Sequence, residues 1–393
     1  MLIPKLAFRN ITSAGLRTWL NVFVLSIAFV AIIWVQGFIA GMSKQIMTDL
    51  IDTEYGGGQF WHQAYDPFDP LTVEDSHAPL SSALVDLVST GKAASILITS
   101  GAIFPDGRVQ TAMIKGIDPA QKVINLPTGV LKRENQHVIP ALIGARMAKQ
   151  ANLKVGDYVT ARWRDVHGTF DATDVQIAEI MNVNVASVDN GQIWVSIKDL
   201  RQMLQASPNE ATLVVLNKDI ESVPAADKTW IYRDQDFLLK EIVEMIKAKT
   251  AGSSILYVLL LGMALLAIFD TQVLAIFRRR KEMGTLMALG MPRGKIISLF
   301  TLEGALHGAM ALIIGAVYGV PLLILSAKKG FGVPQAMSEM GVAVPTTLYP
   351  SYGVKLFIGT ILLVMVTVTI VSFLPTRKIV KLKPTDALRG KLS

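Results

Sequence analysis

The residues of this chain that could do chemistry are few and scattered. There is no cysteine, which excludes disulfides, thiol nucleophiles and thiolate metal sites. The five histidines, His62, His77, His137, His167 and His307, follow neither H-E-x-x-H nor any short paired spacing. They read as scattered surface side chains, and no metal site is expected. Gly91-Lys92, Gly294-Lys295 and Gly390-Lys391 lack both the upstream glycine and the following Ser or Thr of a P-loop, and there is no G-x-S-x-G nucleophile elbow. The expectation is a non-catalytic chain that binds no cofactor. What stands out instead is Arg278-Arg279-Arg280-Lys281-Glu282-Met283-Gly284-Thr285-Leu286-Met287-Ala288-Leu289-Gly290-Met291-Pro292. Met283, Leu286, Met287 and Leu289 give a short helix an apolar face, and Gly290 and Pro292 are stop signals. Such a helix can plug into a groove on a partner and carry force, or it can rest on lipid headgroups.

The elements that must hold this helix follow from composition. Hydrophobic residues make up 51% of the 393 and charged ones only 18%. Four charge-free runs, Thr18 to Ser43, Thr250 to Phe269, Gly304 to Ala327 and Leu356 to Thr376, are 26, 20, 24 and 21 residues long. About 20 apolar residues at ~1.5 Å each cross the ~30 Å hydrocarbon core, so each run predicts a span. The first run is too long for a secretory h-region of about 7 to 15 residues and is read as a span, not a signal peptide.

Charge sets the orientation. Lys5, Arg9 and Arg17 precede the first run without an acid. Residues 278–297 hold six basic groups against Glu282, and residues 375–393 hold six against Asp386. The positive-inside rule puts both termini and the short loop in the cytoplasm, and one large domain outside. This distribution accounts for the formal net charge of +7 without nucleic-acid binding. The expected order is a cytoplasmic lead-in helix (1–18), a first span (19–43), an external domain (44–249), a second span (250–277), the cytoplasmic loop (278–297), a third span (298–327), a short external loop (328–354), a fourth span (355–375) and a cytoplasmic tail (376–393).

The external segment has its own pattern. Ile39, Met42, Ile46, Leu50 and Ile51 recur at helical spacing and extend the first span as a stalk. Gly56, Gly57, Gly58, Pro67 and Pro70 then read as loop. A returning stalk is expected over Asp236–Lys249, with Phe237, Leu238, Ile242, Met245 and Ile246 on its apolar face, and the two stalks could pair. Strands are predicted over Ala93–Ile98, Tyr158–Trp163, Val175–Val183, Ile193–Ile197 and Thr212–Leu216, and helices over Ala141–Ala151 and Lys198–Ala206. This is a mixed α+β domain.

Polar and small residues interrupt the spans at a few points. Asp270 lies eight residues before Arg278, and Glu303 eight after Lys295, which places both toward the cytosol. Ionisable groups there are costly and face protein or water, as part of a coupling network or as structural acceptors at helix ends. Without an acidic relay across the membrane they make a weak proton pump. Gly304 with Gly308 and Gly315 with Gly319 permit close helix packing, within the subunit or at a dimer seam.

The run RRRKEMGTLMALGMPRGKIISLFTLEGALHGAMALIIGAVYG resembles the signature of the FtsX-like permease family. LAFRNITSAGLRTWL resembles that family's amino-terminal helix, and RKIVKLKPTDALRG its basic tail. HVIPALIGARMAKQANLKVGDYVTARW is similar to a passage of the MacB-like periplasmic core domain, whereas Gln59 to His77 departs from the related permeases. The layout is similar to MacB and the lipoprotein-releasing permeases, and the absence of a fused ATPase favours the latter.

The resemblance implies a membrane α-helical fold of four transmembrane helices, with a large mixed α+β periplasmic core domain between the first and second, in a bacterial inner membrane. It implies that Glu282, Met283, Gly284, Leu286, Ala288, Leu289 and Gly290 dock on a cytosolic ABC ATPase dimer that carries ATP and Mg. It also implies a second permease copy or paralogue, and a periplasmic lipoprotein carrier or adaptor. Arg278 to Lys281 would contact membrane lipids. Lipoprotein release by mechanotransmission is the leading expectation, and Phe29, Ile33, Trp34, Phe38, Ile255, Leu256, Leu259 and Leu260 are the candidate acyl-chain contacts. MacB-like efflux and FtsX-like control of a cell-wall hydrolase are the alternatives.

Overall fold

A computed structural model describes residues 15–133, 137–220, 222–225, 227–278, 280–332 and 347–379. The lead-in segment up to residue 14, most of the external loop and the tail beyond residue 379 were assigned roles from sequence and lie outside the described residues. The chain divides into two units. One comprises residues 1–44, 246–332 and 347–393, and the other residues 45–245 with 333–346.

The first unit is helical. Its elements come from α1 (Leu16–Leu50), and from four later helices described below after the sheet. In the second unit, α1 gives way at Leu50 to a π-helical turn, Ile51–Tyr55, which leads into β1 (Gln59–His62). The elements then run β2 (Ala78–Pro79), α2 (Ser82–Ser89), β3 (Ala93–Ile103), β4 (Gln110–Ile117), β5 (Ile139–Gly144), α3 (Ala145–Ala151), β6 (Tyr158–Arg164) and β7 (Phe170–Met181). They continue through α4 (Ala186–Asp189), β8 (Gln192–Ser196), α5 (Ile197–Leu204), β9 (Glu210–Ala211), β10 (Leu213–Leu216) and β11 (Trp230–Arg233).

The main sheet has nine strands in the order β11-β1-β10-β3-β4-β8-β5-β7-β6, and β6 also pairs with β3. That last pairing, Gly101 to Ile103 against Trp163 to Ala161, closes β3, β4, β8, β5, β7 and β6 into a ring. Alternate residues fill it, among them Leu97, Ile114, Ile143, Ala161, Val175 and Ile193, and α5 lays Leu200 and Leu204 on the same core. A second core contains Ile96, Ile117, Trp194 and Val215.

The expected helix over residues 141–151 is corrected to a strand followed by a helix. Ala141 and Ile143 alternate into the ring core and β5 runs parallel to β7, so sheet pairing overrides the helical propensity of Ala and Leu there. The strand expected to reach Val183 ends at Met181. The returning stalk is helical, but its buried face is displaced. Leu238 and Leu239 are buried and Ile242 and Val243 pack beside them, whereas Phe237 and Met245 are exposed. The stalks do meet, since Leu50 and Leu239 share one core with Ile46, Ile51 and Ile242.

The remaining helices are α6 (Gln235–Arg278), α7 (Arg280–Ala288), α8 (Arg293–Lys329) and α9 (Val354–Ile379). Among the described residues, four helices, α1, α6, α8 and α9, are long and apolar enough to cross a membrane. Their shared core holds Val22, Leu25, Ile32 and Ile33 of α1, Leu261 of α6, Ala311 and Leu323 of α8, and Val364 and Val368 of α9.

Candidate coupling site

The chain between α6 and α8 folds as its residue types dictate. Within α7, Leu289 N donates to Thr285 O at 3.0 Å and Gly290 N to Met287 O at 3.0 Å, so the helix closes at the residues read as its stop. Gly290 has φ +89°, a left-handed conformation that a side chain would strain. Pro292 is extended (φ −66°, ψ 144°) and its carbonyl accepts from Lys295 N at 2.9 Å, which starts α8.

The apolar residues of this segment divide between two environments. Met287 and Met291 pack with Ile297 against the buried Ile296 and Phe300 of α8, which braces α7 on the next span. Leu289 is 79% exposed. Glu282, Thr285, Ala288 and Gly290 are also exposed, and Gly284 is buried. Met283 and Leu286 lie on the same helix. Arg279 lies outside the described residues. The result is a short helix with Met287 packed against α8 and with Leu289 and Glu282 exposed.

The two carboxylates read as intramembrane from the sequence differ in setting. Glu303 is buried in α8, and its carbonyl is paired with His307 Nδ1 at 2.7 Å; Asp270, on α6, is exposed. His307 and His62 are each 9% exposed, which corrects the reading of the histidines as surface side chains. His62 packs edge-on against Trp230, and burial, with His77 second, holds its pKa below the ordinary imidazole range. His77 pairs with Glu210 at 2.8 Å.

The candidate acyl-chain residues fall into two groups. On α1, Phe29 and Ile33 are buried in the helix core, and Trp34 and Phe38 stack with centroids 5.9 Å apart against Phe331. On α6, Ile255, Leu256 and Leu259 are exposed, and Leu260 packs at the core's margin. The glycine spacing of α8 serves packing within the chain: a methyl group at Gly308 would lie 3.2 Å from Met365 Sδ. Sequence reasoning missed the polar ties between spans, Ser26 Oγ to Tyr318 at 3.1 Å, Ser326 Oγ to Tyr352 at 2.8 Å and Thr360 Oγ1 to Gln36 at 3.3 Å. Lone Ser, Gln and Tyr residues inside apolar runs were the available signal.

Residues 254–384, which include α7, α8, α9 and the apolar part of α6, match the family model of the FtsX-like permease C-terminal domain. The match and the relative below make this chain similar to FtsX-type ABC transporter permeases. The chain is also similar to an uncharacterized ABC transporter permease of Methanocaldococcus jannaschii, 24% identical over 188 residues. That alignment covers 44% of each chain, so this chain spans less than half the length of the relative it matches. That match and the long apolar helices among the described residues both support a membrane protein.

Proposed function

We propose that this chain is the non-catalytic permease subunit of an ABC transporter that works by mechanotransmission, and that α7 is the helix on which a separate cytosolic ATPase pair acts. The observation that carries this reading is the division of apolar residues at α7: Met287 is braced on Ile296 and Phe300, while Leu289 is bare beside exposed Glu282. A push on such a helix moves α8 and does not merely bend a loop. Both termini and α7 face the cytoplasm of a bacterial inner membrane, and the sheet unit lies in the periplasm; the basic flanks support this orientation.

In this reading the movement reaches the outer domain through the stalks at its two ends. ATP can drive the movement only through the difference in its binding between the two states of the ATPase pair. A second permease, identical or similar, completes the assembly. The cargo is a lipid-anchored protein released to a periplasmic carrier, and its acyl chains lie on the exposed stripe Ile255, Leu256 and Leu259 of α6. The test is purification with the co-expressed ATPase in nanodiscs, followed by ATP addition and assay for an acylated protein in the soluble carrier fraction. ATP hydrolysis without release would keep the permease and discard the lipoprotein, leaving efflux through an adaptor or control of a cell-wall hydrolase. No stimulation of ATPase activity would discard the coupling assignment.

A further inference from the structure

The sheet unit contains a cavity of about 500 Å³ whose walls are aromatic and whose floor is a buried ion pair. Tyr55, Trp61, Tyr65 and Phe237 contribute the walls, and Lys115, Glu54 and Trp194 line the same space. Its size is that of small-molecule sites, which are largely apolar with a few fixed polar groups.

The floor is short of acceptors. Lys115 is 7% exposed and lies 3.6 Å from Glu54 Oε1, an ion pair longer than a hydrogen bond, with its ammonium 5.1 Å from the centre of the Trp194 ring. The other Glu54 oxygen is already occupied by Ser187 Oγ at 2.8 Å. Trp194 is 1% exposed, and among the described residues its buried indole N–H has no hydrogen-bond partner. Lys115 and Trp194 are register partners on β4 and β8, so the sheet places the two side chains next to each other, with the ammonium over the indole ring. Buried donors without acceptors are uncommon in folded proteins and call for an oxygen from outside the chain. Desolvation lowers the Lys115 pKa even against the opposing pull of Glu54.

Charge decides what kind of oxygen this is. Lys115 and Glu54 cancel, and Glu241 and Glu244 are offset by Lys240 and by Arg233, whose guanidinium lies over the Phe237 and Trp61 rings, so the surroundings favour neither an anion nor a cation. A cation would have to compete with Lys115 for Glu54. We propose that this cavity binds an uncharged, apolar molecule through a carbonyl oxygen, an amide or an ester, presented to the donors of Lys115 and Trp194. Because Tyr55 follows α1 and Phe237 and Glu241 lie on α6, the occupant touches both stalk ends at once.

The test uses the full-length chain in nanodiscs without any ATPase, so that it is independent of the coupling assignment. Three probes share one body and differ in charge: 3-phenylpropionamide, 3-phenylpropionate and 3-phenylpropylamine, followed by titration calorimetry and saturation-transfer NMR. The amide is expected to bind most tightly. Lys115→Met combined with Glu54→Gln, which keeps the floor neutral, should weaken it about tenfold, as should Phe237→Ala at the exposed wall. Tightest binding of the propionate or of the amine would overturn the proposal, as would amide binding unchanged by both variants or no binding of any probe.

Discussion

Gly319 and Val30 mark the closest approach of two spans: a methyl group on Gly319 would lie 2.5 Å from Val30 Cγ2. The contact joins α8 to α1, and Gly315, one turn earlier, faces Ser26 and Phe29 at ordinary distances. Gly319→Val should therefore destabilise the helical unit by about 1–3 kcal/mol through overpacking. Thermal unfolding in detergent checks this, with Gly262→Ala, which meets nothing within 4 Å, as the control expected to be neutral or stabilising.

At α7, Glu282→Lys and Leu289→Asp should leave expression and membrane insertion intact, because both side chains are exposed. Each should reduce permease-stimulated ATPase activity about tenfold, the loss expected when a central anchor of an interface is removed. Unchanged stimulation in both variants would refute the assignment of α7. Met287→Ala should instead cut stimulation and lower thermal stability together, since Met287 braces the helix on Ile296 and Phe300.

The polar ties between spans are expected to be modest. Tyr318→Phe removes the hydroxyl that meets Ser26 Oγ at 3.1 Å and should cost about 0.6 kcal/mol, the average for such bonds inside membranes. A loss of several kcal/mol on unfolding would mean that this hydroxyl does more than tie two helices.

The Lys115 and Glu54 pair gives a pH-dependent prediction. Glu54→Gln leaves the ammonium buried without its carboxylate and should cost about 3–5 kcal/mol at neutral pH, whereas the double variant Lys115→Met with Glu54→Gln should be close to neutral. The folded-state pKa of Lys115 lies below its ordinary 10.5, so the folded protein releases this proton before the unfolded chain does. Between those two values stability rises with pH, and the Glu54→Gln deficit should shrink as pH climbs toward 10.5. Denaturation midpoints measured relative to the double variant isolate this group.

The four long helices were readable because each carries 20 or more consecutive residues without charge, and α7 because Gly290 and Pro292 punctuate it. The sheet was readable only in part. β4 was missed because Lys115 interrupts its apolar pattern, and that lysine is buried only because Glu54 arrives from a distant turn. β5 was read as helix because its Ala and Leu favour one, while its partner β7 follows many residues later. The rotated face of the second stalk has the same cause: Leu239 and Val243 were equally apolar candidates, and only the position of Leu50 decides between them and Phe237. The cavity was invisible for that reason too, since Glu54, Lys115 and Trp194 share no local spacing.

The ring of strands carries a consequence for biogenesis. β8 lies between β4 and β5, although it follows both in the chain, and β10 inserts between β1 and β3. Until residue 196 has been synthesised, β4 and β5 have no common neighbour and the ring cannot close. Local contacts are thus insufficient, and loop-closure entropy must be overcome before the long-range pairs reward it, which makes this unit a slow folder. Its unpaired strands stay exposed throughout that interval, so the unit needs protection from aggregation during assembly more than the helices that flank it.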